Sequence, residues 1–170
     1  MIELLTLYFL SKKVCTMYRI YTLLKSELSV LSAPSYGTLK PALDRLVKSG
    51  FVSSQKTMSK GGRPSVYYSI TDKGRDELRN MMLSIQSDNS HQFMLNARVR
   101  LYCSDILTDE DLTKMIKSLK AKLEQLCVDT HNLTEKNNKN FYAKLFFDNL
   151  NCEYKNFLSL LEGVERAGKH

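Results

Sequence analysis

Apolar positions at the start of the chain repeat at helical spacing. Ile2, Leu5 and Phe9 lie three and four residues apart, with Leu4, Leu7 and Leu10 beside them. That density predicts a helix over residues 1–11 buried on most of its circumference. Ser11, Lys12 and Lys13 break the run. Thr16 is placed to cap a second helix, reaching to about Ser26, with Met17, Ile20, Leu23, Leu24 and Leu28 as its apolar face. Leu31 to Pro34 reads as a turn. Ser35 then stands where its hydroxyl can accept from the free N–H groups of a third helix. In that helix Leu39, Leu43, Leu46 and Val47 form one buried stripe, opposite Tyr36, Lys40, Asp44, Arg45 and Lys48. Gly50 ends it, being tolerant of the left-handed conformation that closes helices. Pro41 leaves two readings open. A helix starting at Ser35 loses one backbone bond there and kinks, whereas one starting near Thr38 places the proline among donors that lack partners anyway.

After Gly50 the period falls to two. Phe51–Lys56 and Ser65–Ile70 read as strands, the second with Val66, Tyr68 and Ile70 on one side. Between them Thr57–Pro64 reads as a hairpin loop with a basic tip, two glycines permitting positive φ and Pro64 blocking ladder pairing at its base. Thr71 and Asp72 then cap another helix. Helix, helix, helix, hairpin, helix is the winged helix-turn-helix order. A helix about 10 Å across fits the roughly 12 Å major groove, so the polar face of the third helix is the expected base-reading surface. Its candidates are Ser35, Tyr36, Thr38 and Lys40, with Lys60 and Arg63 of the hairpin tip directed at phosphates or a minor groove. Tyr18, on the second helix, is placed either to reach a phosphate or to pack.

The second half changes character. Residues 91–104, with Phe93, Ala97 and Leu101, predict one helix. From Thr108, with Asp109, Glu110 and Asp111 at the helix start, Leu112, Leu119, Leu126 and Leu133 repeat every seventh residue, Ile116 and Leu123 fall between them, and Thr130 breaks the series. Beyond the polar link 134–140, Ala143, Leu150, Phe157 and Val164 form a second series, with Phe147, Tyr154 and Leu161 between. The two seams pair with each other in an antiparallel hairpin, or with a second copy of the chain, or both. The expected architecture is mainly α with a small β wing. A DNA-binding domain over 1–85 is followed by a helical dimerisation and effector domain over 86–170.

Charge sharpens this division. Residues 1–85 hold 13 of the 25 Lys and Arg but 6 of the 18 Asp and Glu, which leaves 12 of each sign for 86–170 and places the whole net charge of +7 in the first half. A surplus confined to one domain is the footprint of a polyanion contact. A basic face turned to an acidic protein partner is the alternative, making the chain an adaptor. The four cysteines and three histidines show no CxxC, HxxxH or HExxH spacing, so no metal or cofactor site is expected. No phosphate-binding glycine loop, nucleophile elbow or marked carboxylate pair indicates an enzyme. The apolar run Leu4–Leu10 is too short to span a bilayer, and without a signal-peptide pattern the expected location is the cytosol.

Tyr36-Gly37-Thr38-Leu39-Lys40-Pro41-Ala42-Leu43-Asp44-Arg45-Leu46, then Gly50-Phe51-Val52, then Gly62-Arg63-Pro64-Ser65-Val66-Tyr67-Tyr68-Ser69-Ile70-Thr71-Asp72-Lys73-Gly74, resembles the signature of the PadR family over residues 1 to about 80. Lys40 departs from it, standing where the family usually has tyrosine. The resemblance implies a homodimer, double-stranded DNA as partner, repression relieved by a small aromatic molecule, and a helix that starts near Ser35 despite Pro41.

Overall fold

The computed structural model describes residues 1–31, 35–58, 64–85 and 89–167. Lys60 and Arg63 lie outside them. Along the described residues run α1 (Ile2–Lys12), β1 (Cys15–Thr16), α2 (Met17–Leu28), α3 (Tyr36–Lys48), β2 (Val52–Met58), β3 (Pro64–Ile70), α4 (Asp72–Leu83), α5 (Ser90–Tyr102), a 3-10 turn (Ser104–Ile106), α6 (Asp109–Lys136) and α7 (Phe141–Ala167). They form two compact units. One is Met1–Ser84 with Met94–Asp105, the other Ile85–Phe93 with Ile106–His170.

The first unit is built around α1, which packs against α2, α3, α4 and β3. Every residue from Leu4 to Leu10 is buried, as the density of leucines predicts. Thr6 tolerates this burial because its hydroxyl donates to the Ile2 carbonyl at 2.7 Å, leaving no unpaired polar group. Facing α1 and one another are Ile20, Leu24 and Leu28 of α2, Leu39, Ala42, Leu43 and Leu46 of α3, and Leu78 and Met82 of α4. Each of these side chains larger than alanine contributes about 1.5–3 kcal/mol by leaving water.

The sheet has strand order β1-β3-β2 and is antiparallel throughout. Two features depart from the sequence reading. The β2–β3 ladder runs from Val52↔Ile70 to Met58↔Pro64, so Thr57, Met58 and Pro64 belong to the strands rather than to the loop. Pro64 is the first residue of its strand, a position that tolerates a missing donor. β1, pairing Cys15↔Tyr68 and Thr16↔Tyr67, is too short to show any alternation in the sequence.

The junction between α3 and β2 is tightly tied. Gly50, at φ +75°, donates to the Val47 carbonyl and Phe51 to the Leu46 carbonyl, both at 3.0 Å, the two bonds of a Schellman helix end. Thr71 caps α4 by accepting from the Gly74 N–H at 3.0 Å, while its own hydroxyl donates to the Gly50 carbonyl at 2.7 Å. Its backbone N–H donates to the Phe51 carbonyl at 3.0 Å. Gly74 sits against that same carbonyl, where a Cβ would fall 2.0 Å from the oxygen.

Residues 94–105, which the sequence reading placed in the second domain, pack in the first unit. Arg100 shows why. Its guanidinium is nearly buried, with Nε donating to Met82 O at 3.2 Å and Nη2 to Met81 O and Ser84 O at 2.9 and 2.8 Å. Nη1 donates to Asn96 O at 3.3 Å. The last carbonyls of α4 have no donors within their own helix, and this side chain supplies them.

In the second unit α6 and α7 form an antiparallel pair, turning at residues 137–140 and tied at Lys120–Glu165 (3.0 Å). Thr108 caps α6 by accepting from the Asp111 N–H at 3.2 Å. The seam buries Ile116, Leu119 and Leu123, then Thr130 and Thr134, against Tyr154, Phe157 and Leu161. Of the four heptad leucines, Leu119 is buried and Leu112 half-buried. Leu126 is half-buried and Leu133 is 42% exposed, whereas Thr130, expected as a break, lies in the core. A helix with 3.6 residues per turn drifts by about 20° per heptad, and three heptads carry Leu133 off the seam. Among the described residues no helix is long and apolar enough to cross a membrane.

Candidate nucleic-acid interface

α3 presents its polar face to solvent because its apolar stripe is spent on the core: Leu39, Ala42, Leu43 and Leu46 are buried, and Tyr36, Gly37, Thr38, Lys40, Pro41, Asp44, Arg45 and Lys48 are exposed. The helix begins at Tyr36 with Ser35 as cap, the first of the two starts that Pro41 left open. Pro41 has no N–H to give the Gly37 carbonyl, so the helix lacks that one backbone bond.

The candidate residues fall together on this face, in different states. Ser35 Oγ accepts from the Thr38 N–H at 3.2 Å, and Thr38 Oγ1 donates to the Ser35 carbonyl at 2.8 Å, so both hydroxyls also hold the helix start. Tyr36 stands edge-on to Tyr21 of α2, ring centroids 5.4 Å apart, which orients its phenol while leaving the residue 45% exposed. Lys40 is paired: Nζ lies 2.5 Å from each oxygen of Asp44, one turn on. This hydrogen bond to Asp44, the largest influence, raises the Lys40 pKa. Arg45 is drawn the other way, to Glu3 of α1 at 2.7 Å. Tyr18, at the start of α2, is 70% exposed and so available to a ligand rather than packed.

Sequence reasoning missed the two acids. Asp44 sits four residues after Lys40, the spacing at which helical side chains meet, so that pair was legible in principle. Glu3 to Arg45 spans 42 residues and has no local signal. Further basic side chains of the first unit, Lys13, Arg19, Lys25, Lys56, Lys73 and Arg75, are exposed. Lys73 donates to the Ser49 carbonyl at 3.0 Å, and its ammonium lies over the Phe51 ring. Among the described residues no three His, Cys, Asp or Glu side chains gather as metal ligands would.

No curated protein matches the chain. Among solved structures, PadR of Bacillus subtilis in complex with operator DNA is 20% identical, with 98% of each chain covered and a TM-score of 0.48. PadR of Bacillus subtilis in complex with p-coumaric acid is 18% identical, covering 99% of this chain and 97% of the other, with a TM-score of 0.41. A PadR-like transcriptional regulator of Bacillus cereus is 29% identical, over 46% of this chain and 74% of its own, with a TM-score of 0.42. Residues 6–80 match the transcriptional regulator PadR-like family. That stretch begins inside α1 and ends inside α4, so the winged helix-turn-helix of this chain carries a PadR-like domain.

Proposed function

We propose that the chain is a homodimeric, cytoplasmic transcription regulator that binds operator DNA with α3 in the major groove and the β2–β3 wing alongside, and that represses until a small aromatic effector releases it. The observation that carries the DNA part is the outward face of α3, on which Ser35, Tyr36, Thr38 and Lys40 stand together above a fully buried apolar stripe. The surplus of basic residues in the same half of the chain supports it. Lys60 and Arg63 are assigned to the wing contacts on sequence alone.

The dimer rests on α7. Tyr142, Leu145, Phe146 and Leu160 remain exposed along one side of that helix after the seam with α6 is formed. A second copy covering this side would make the chain a twofold dimer, for which operator half-sites about 34 Å apart are expected. The class of the effector is tested directly.

The experiment is a shift assay with duplex DNA from upstream of the protein's own gene, titrated with salt and repeated with aromatic carboxylates such as p-coumaric acid. DNA binding predicts a log K against log salt slope of about −0.9 per phosphate contacted, a loss of roughly 10³-fold or more between 50 and 200 mM for six contacts. A flat slope overturns this reading in favour of an adaptor for an acidic protein. Unchanged binding with every aromatic compound overturns the effector part.

A further inference from the structure

We propose that Asp44 is a specificity-determining residue of α3, acting with Lys40 as a side-by-side acceptor and donor that reads a G·C base pair. The proposal rests on the DNA-binding reading above and adds to it a residue of the wrong charge for DNA. A carboxylate on a face that approaches phosphates is repelled by them, and Asp44 is exposed on that face rather than turned to the core. Its partner is the Lys40 ammonium, 2.5 Å from both carboxylate oxygens.

The pair has a counterpart in the major groove. A G·C pair presents the guanine N7 and O6 acceptors beside the cytosine N4 donor. An ammonium on N7 and O6 therefore places a carboxylate bonded to it next to N4–H, and the two contacts form without parting the two side chains. In the same placement an A·T pair sets the N6 amine against the ammonium and the thymine O4 against the carboxylate, both repulsive. The neighbouring cation is also engaged, since Arg45 is held by Glu3 at 2.7 Å. The middle of α3 thus offers phosphates less free positive charge than its sequence suggests. Asp44 weakens attachment to arbitrary DNA and is repaid only where cytosine N4 meets it. An exposed ion pair is weak enough for a better partner to open, so removing the acid frees Lys40 for phosphates.

The test is selection from a randomised duplex pool with the full-length protein, alongside Asp44→Ala, Asp44→Asn and Lys40→Ala, each first shown to retain the parent circular dichroism. The parent is expected to select a motif containing a G·C pair that Asp44→Ala no longer specifies, with discrimination at that position falling about 10-fold. Binding of Asp44→Ala to non-operator duplex is expected to tighten, and its salt slope to steepen by about 0.9 as Lys40 takes up a phosphate. Asp44→Ala selecting the same motif with equal discrimination overturns the proposal and leaves DNA binding intact. A parent that selects no motif and shows a flat salt slope overturns both.

Discussion

Replacing Gly74 by alanine tests the close approach that joins wing and recognition helix. The added Cβ would lie 2.0 Å from the Phe51 carbonyl oxygen and 2.8 Å from Ile70 Cγ1. An ordinary carbon–oxygen contact is about 3.3–3.6 Å, so one side must retreat by roughly 1.3 Å. The oxygen cannot retreat freely, because it accepts the Thr71 N–H at 3.0 Å and lies 3.1 Å from the Thr71 hydroxyl. Overpacking costs about 1–3 kcal/mol, and this contact, made to backbone, belongs at the upper end. Weakening the Thr71 bonds adds about 1 kcal/mol. Against this, alanine in a helix gains about 1 kcal/mol over glycine. The net loss is about 3 kcal/mol, and at roughly 2–4 °C per kcal/mol for a chain of this size the melting temperature should fall by about 6–12 °C. Thermal unfolding followed by circular dichroism measures it. Gly37→Ala is the comparison, since its Cβ would meet only Ser35 Oγ at 3.7 Å, and it should melt at or slightly above the parent. If Gly74→Ala unfolds within a degree or two of the parent, the close-contact argument is refuted.

Arg100→Met should lose about 3 kcal/mol in urea unfolding, because the α4 carbonyls lose charged donors, and Arg100→Lys should recover part of it; an unchanged midpoint would deny the guanidinium its capping role. Phe146→Glu should halve the mass seen by light scattering while leaving helicity unchanged, and a mass equal to the parent's would remove this side of α7 from the proposed interface. Burial first, then nearby Asp105, pushes the Cys103 thiol up to about 12. At pH 8 a thiol reagent should therefore label exposed Cys152 quickly and Cys103 only on unfolding. Because the raised value means that the folded state holds the Cys103 proton more tightly, its stabilisation is complete below about pH 9 and is lost as pH rises towards 12. Cys103→Ala should flatten that decline, and an equally steep fall in the variant would assign it to another group.

The helices of the first unit were legible because each signal was local: a leucine stripe, a capping hydroxyl, a glycine after the last turn. Ser35, Thr16 and Thr71 cap the helices their positions suggested. Elements defined by distant partners were not. β1 exists only because β3 lies beside it, and the return of residues 94–105 to the first unit depends on Arg100 finding carbonyls 16 to 19 residues earlier. At the candidate interface the sequence placed Ser35, Tyr36, Thr38 and Lys40 on one face, but not the engagement of Lys40 with Asp44, Arg45 with Glu3 or Tyr36 with Tyr21. Periodicity says which way a side chain points; it is silent about what already holds it.

Thr130 and Thr134 in the α6–α7 seam carry one more consequence. Thr130 donates its hydroxyl to the Leu126 carbonyl at 2.6 Å, and Thr134 donates to Thr130 at 3.1 Å, each four residues back in the same helix. A hydroxyl spent on its own backbone has no donor left for a neighbour, so these threonines donate nothing to the opposing helix. They impose no alphabet of pairing across the seam. Alignment of the two helices is left to the short turn and to Lys120–Glu165, and a chain with both threonines changed to valine should keep the same hairpin.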